Sequence, residues 1–152
     1  MIIRIFDNNF YLNDIENIVK NNKISNFSEL EKKIFNIVYD WINYKEYFLF
    51  KTSGSTGKSK EIKIDRKKIL ISIENTKKFL NLQKNMNCLL CISTDYIGGF
   101  MMLIRALEIG MNIHIVKPCS NPFEFLNDDV NFDFSAFVPL QIFEIIKRKK
   151  NK

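Results

Sequence analysis

Apolar residues fall at two alternating spacings along the chain. Leu30, Ile34, Ile37, Val38 and Trp41 recur every three or four residues behind Ser28-Glu29-Leu30-Glu31, which has the form of a capping box. A helix is therefore expected from about 28 to 43. Residues 47–51 are a short aromatic and apolar run, and Ile62-Lys63-Ile64 alternates, so each predicts a strand. Asp65 is placed to cap a further helix in which Ile69, Ile73 and Leu80 share a face.

The same rhythm continues downstream. Residues 88–92 are continuously apolar, as a buried strand would be. Gly98-Gly99 opens a helix to about 109, and 112–116 predicts another strand. Asn121-Pro122 pairs an N-cap residue with proline at the first helical position, ahead of a short helical turn. Residues 134–138 predict a last strand, and Pro139 starts a helix bearing Leu140, Phe143 and Ile146. Near the start, 2–5 predicts a short strand and a brief helix follows Asp14. Strands alternating with helices predict an α/β fold with a mostly parallel sheet, in one domain at 152 residues.

Composition changes this picture little. With 46% hydrophobic and 26% charged residues, and only 5 Gly and 3 Pro, disorder is not expected. A net charge of +6 raises nucleic-acid binding as a class, but the lysines are scattered apart from Lys147-Arg148-Lys149-Lys150, which reads as a solvated helix end. Neither a signal peptide nor a membrane-length apolar run is visible, and a cytoplasmic location is expected. Cys88, Cys91 and Cys119 are an odd set in apolar surroundings, expected as free thiols.

The candidate chemistry lies at Thr52-Ser53-Gly54-Ser55-Thr56-Gly57-Lys58-Ser59-Lys60, nine residues with two glycines, five hydroxyls and two lysines. Glycines let successive backbone N–H groups converge on an anion, hydroxyls add donors, and lysine neutralises phosphate oxygens. Two other phosphate motifs fail here. A Walker A loop would need glycine where Thr52 stands, and the three-glycine dinucleotide spacing is missing.

These nine residues resemble the phosphate-binding signature of the adenylate-forming superfamily, which includes acyl-CoA synthetases, peptide-synthetase adenylation domains and luciferases. Ser59 departs from the family's usual proline, and Lys60 matches its closing lysine. The segment 91–100, with Tyr96 where many members have histidine, resembles the strand, turn and helix that border the family's acyl pocket. Ile113-His114-Ile115-Val116 and residues 134–141 resemble the elements that follow it. Asp95-Tyr96-Ile97-Gly98-Gly99 and Ser120-Asn121-Pro122 are most similar to the o-succinylbenzoate-CoA ligases of menaquinone synthesis.

The resemblance implies that residues 1–152 are the N-terminal portion of an AMP-binding domain. It also implies an ATP-dependent acid-CoA ligase acting through an acyl-adenylate, with ATP, Mg²⁺ and CoA and a small carboxylic acid as its ligands. Thr52, Ser53, Gly54, Ser55, Thr56, Gly57 and Lys60 would hold phosphate, and Tyr96, Gly98, Gly99 and Arg105 would meet the acid. The family's adenine and ribose motifs and its mobile C-terminal domain have no match in the sequence. The chain is therefore expected to be a fragment with no catalytic residue of its own, inactive alone or working with a separately encoded remainder. The alternative is a non-catalytic binding or assembly module that retains part of the fold.

Several residues have simpler readings. Cys88 and Cys91 have the CxxC spacing of a metal site, but residues three apart on a strand point to opposite faces, so core packing is favoured. His114 stands alone without a second ligand, and no metal site is expected. Asp128-Asp129 reads as a solvated turn. Arg105, in an apolar helix, either snorkels to solvent or meets a substrate carboxylate.

Overall fold

A computed structural model describes residues 1–52, 60–126 and 130–149. In chain order its elements are β1 (Ile3–Ile5), β2 (Asn8–Phe10), α1 (Leu12–Lys20), α2 (Glu29–Ile42), β3 (Tyr47–Thr52), β4 (Lys60–Asp65), α3 (Arg66–Leu80), β5 (Asn87–Leu90), α4 (Ile97–Ile109), β6 (Asn112–Ile115), β7 (Phe134–Ser135) and α5 (Pro139–Lys149). Single 3-10 turns lie at Lys23–Asn26 and Pro122–Phe125. The central sheet has the order β2-β1-β6-β5-β7, and only β2 runs antiparallel to its neighbour. β3 and β4 form a separate antiparallel pair.

Period-2 alternation sorts the side chains of this sheet. Ile3, Ile5, Cys88, Leu90, Ile113 and Ile115 enter one core with α2, α3 and α4. Arg4, His114, Leu89 and Ser135 are successive register partners across the sheet, so they share the opposite face. There a smaller cluster forms from Leu89, Cys91 and Val116, with Phe132 and Phe137 packed on it. Cys88 and Cys91 therefore lie in different cores, on opposite sides of the sheet, and both are free thiols.

Local sequence accounts for the helix ends. The Ser28 N–H and hydroxyl donate to Glu31 Oε2 at 2.9 and 2.6 Å, and the Glu31 N–H donates back to Ser28 Oγ, so the capping box opens α2 as expected. Asn121 Oδ1 accepts from the Phe123 N–H and caps the turn begun by Pro122. Gly110 ends α4 at φ +79, a left-handed position that glycine adopts without strain.

Four expectations need correction. The helix placed after Asp14 already begins at Leu12. Asp65 stands at the N-cap of α3 as expected, but it also closes the β3–β4 ladder opposite Tyr47 and its side chain makes no cap bond. Leu80 is exposed: the chain reverses at left-handed Asn81, and Leu82 enters the core in its place. The last strand pairs only at Phe134 and Ser135, and α5 turns Gln141, Glu144 and Ile145 inward. Leu140, Phe143 and Ile146, which the helix bears as expected, face solvent.

Candidate functional site

The glycine and hydroxyl loop hangs from the β3–β4 hairpin. Six register pairs run from Tyr47↔Asp65 to Thr52↔Lys60, so the loop's first and last residues stand opposite one another on paired strands. Both strands are longer than expected, since Thr52 belongs to β3 and Lys60 to β4. Ser53, Gly54, Ser55, Thr56 and Gly57, named above as phosphate ligands, lie outside the described residues, as do Lys58, Ser59, Asp128 and Asp129.

One face of this hairpin is anchored. Phe48 and Phe50 are buried, and their rings meet Phe100 of α4 at centroid distances of 4.8 and 4.9 Å. Phe100 follows Gly99 directly, so the strand that delivers the chain to the loop rests on the helix that Gly98 and Gly99 open.

The turn between β5 and α4 is held by its own polar groups. The Ser93 hydroxyl donates to Asp95 Oδ2 at 2.8 Å, the Asp95 N–H donates to Ser93 Oγ at 3.2 Å, and the Tyr96 N–H donates to Ser93 O at 3.3 Å. Lys33 of α2 pairs with Asp95, and its hydrogen bond, then that of Ser93, holds the Asp95 carboxyl below the usual carboxylate range. Thr94 is 7% exposed, and its hydroxyl is buried without a partner among the described residues. Gly99 lies so close to the turn that a Cβ there would stand 2.2 Å from Ser93 O.

Cavities surround this turn at the carboxyl ends of the parallel strands, where open α/β sheets bind ligands. One of about 290 Å³ is lined by Cys91, Tyr96, Gly98, Gly99, Cys119 and Gln141, among others. Three of the four residues proposed to meet the acid, Tyr96, Gly98 and Gly99, are thus brought together, with Tyr96 68% exposed at the mouth. A second, of about 260 Å³, opens between α2 and the ends of β5 and β6, and a third, of about 410 Å³, opens beside β3. Lys33, Thr94 and Asp95 line both.

Arg105 lies elsewhere, about two turns along α4 from Gly98. Its guanidinium carbon is 5.9 Å from the Phe134 ring centroid, and its buried Nε has no partner among the described residues. Burial pushes its pKa down. His114 packs edge-on against Phe132 at 5.1 Å, and desolvation, then Arg4, lowers its pKa. Among the described residues no group of three or more His, Cys, Asp and Glu is placed to hold a metal, and no helix is long and apolar enough to cross a membrane. Lys33, Thr94 and Gln141 line the cavities but were not singled out from sequence, because their positions depend on which loops meet at the sheet's end.

Among solved structures the chain is similar to an AMP-forming acyl-CoA synthetase/AMP-acid ligase II-like protein from Dyadobacter fermentans. Identity is 32% and the TM-score 0.74, over 81% of this chain. The fold is that of part of an adenylate-forming enzyme. A second likeness, at 19% identity and TM-score 0.58 over 65% of this chain, is to o-succinylbenzoate CoA synthetase from Bacillus subtilis in complex with its acyl-adenylate intermediate, and it bears on fold alone. The first of these likenesses supports the adenylate-forming superfamily. The chain spans 35% of the length of the first protein and 26% of the second. No family model matches the sequence, and neither does any curated protein.

Proposed function

We propose that this chain supplies the phosphate-gripping and acid-binding part of an ATP-dependent acid-CoA ligase that works through an acyl-adenylate. One observation carries the reading: the hairpin bearing the glycine and hydroxyl loop rests, through Phe48 and Phe50, on the helix whose first turn borders the Tyr96, Gly98 and Gly99 cavity. A phosphate-binding loop and an acid cavity on one support is what carboxylate activation requires, because its chief demand is the placement of carboxylate against nucleotide.

In this reaction a carboxylate attacks the α-phosphorus of ATP, releasing pyrophosphate, and the CoA thiol then displaces AMP from the acyl-adenylate. Thr52, Ser53, Gly54, Ser55, Thr56, Gly57 and Lys60 bind the β- and γ-phosphates, with Mg²⁺ arriving on the nucleotide. Glycines, hydroxyls and a lysine suit phosphate oxygens, whereas the cavity's largely apolar wall suits the body of an organic acid. Tyr96, Gly98 and Gly99 border that acid, and Arg105 meets its carboxylate only if the acid reaches the Phe134 side of α4. By its Asp95 to Gly99 and Ser120 to Pro122 segments, the acid is o-succinylbenzoate and the setting cytoplasmic menaquinone synthesis.

Adenine, ribose and the thioester step fall in this reading to the remainder of an AMP-binding domain, of which residues 1–152 form the N-terminal portion, whether that remainder is continuous or separately encoded. A second reading, a non-catalytic binding or assembly module, is favoured by the exposed Leu140, Phe143 and Ile146 on α5.

Titration calorimetry with ATP and with pyrophosphate separates the two. The ligase reading expects both to bind, and Lys60→Ala to weaken them about tenfold, the size of one charge-assisted hydrogen bond. Equal affinity in both proteins removes the loop's proposed role.

A further inference from the structure

Gln141 is a polar residue in an apolar place. It is 3% exposed, and its amide joins three segments that the sheet ladder does not. Nε2 donates at 2.9 Å to the carbonyl of Cys91, just past β5, and at 2.9 Å to the carbonyl of Cys119, four residues past β6. Oε1 accepts from the Val138 N–H at 3.0 Å, three residues past β7.

The parallel ladders stop short of these atoms, the β5–β6 register at Leu90↔Ile115 and the β5–β7 register at Leu89↔Ser135. Cys91, Cys119, Val138 and Gln141 all line the cavity that holds Tyr96, Gly98 and Gly99. Both Nε2 protons are spent on backbone carbonyls, so the amide acts as a brace between loops.

We propose that Gln141 is a positioning residue: its side-chain amide fixes the width of the Tyr96–Gly99 cavity by tying together the strand-end loops that wall it. The functional meaning of that width rests on the acid-binding reading above, whereas the tie itself does not. The buried Cys91 carbonyl and the part-buried Cys119 carbonyl would lose this donor if the amide were removed, and the loops would part to let water reach them.

The three cysteines report on this directly. Cys91 and Cys119 line the cavity, whereas Cys88 sits in the helix-side core across the sheet and serves as the control for unfolding. Burial pushes the Cys91 thiol up to about 11 and the Cys88 thiol up to about 12, so both react slowly while packed. The test is iodoacetamide labelling of the 152-residue chain, read at each cysteine by mass spectrometry. In Gln141→Met, which keeps length and loses the amide, Cys91 should label about tenfold faster with Cys88 unchanged.

Gln141→Glu keeps the acceptor for Val138 but turns a carboxylate toward two carbonyls, and it should speed Cys91 as well. Unchanged rates at Cys91 and Cys119 in both variants overturn the proposal. So does a parallel rise at Cys88, which signals global unfolding, and so does a wild-type rate in Gln141→Glu, which would leave only the Val138 bond in play. Saturating o-succinylbenzoate should slow Cys119 labelling in wild type and do so less in Gln141→Met. Absence of that protection in wild type removes the acid-binding reading and leaves the tie standing on the ligand-free rates.

Discussion

A methyl group added at Gly99 would sit 2.2 Å from Ser93 O and 2.9 Å from Ile92 O, while one added at Gly98 meets nothing nearer than the Ile92 Cδ1 at 3.7 Å. Gly99→Ala must therefore push α4 off the turn, and urea melts should show a loss of about 1–3 kcal/mol, the usual range for overpacking. Gly98→Ala should be neutral or gain roughly 0.5–1 kcal/mol, because alanine is the better helix former. On sequence alone the two glycines read as one feature, both bordering a pocket. Their difference comes from the approach of one backbone to another, which no local pattern encodes.

Among the elements, α2 was the most legible, because its cap, its first turn and its apolar spacing all point the same way. It also carries Lys33 to Asp95, and so braces the turn that walls the cavities. Ser28→Ala should cost about 1 kcal/mol, measured as a lowered thermal midpoint, since it removes the partner of the Glu31 N–H. α5 was legible in extent but not in orientation. Its Leu140, Phe143 and Ile146 form a regular stripe, yet the side that meets the protein is fixed by the Gln141 hydrogen bonds. β7 shrank to two residues for a related reason: only Phe134 and Ser135 find pairing partners on β5.

Across the whole molecule, strand and helix alternation was enough to foresee a mostly parallel α/β sheet, because that inference needs only the order of elements. Sequence also named the residues of a cavity, Tyr96, Gly98 and Gly99, without showing that Cys119 and Gln141 complete it. The two cores are unequal, a large one under α2, α3 and α4 and a small one around Leu89, Cys91 and Val116. Hydrogen exchange should follow this division. Amides of β1, β5 and β6 should exchange slowest, and those of β7 and α5 should open first, since α5 keeps most of its large apolar side chains in solvent. Equal protection in α5 and β5 would contradict this.

The β3–β4 ladder also separates what the loop does from what the fold needs. Six paired rungs fix the faces of Phe48 and Phe50 up to Thr52 and Lys60 before the loop contributes anything. The residues between those two ends can thus be exchanged as a cassette, with altered length or chemistry, while the aromatic seat on Phe100 stays in place.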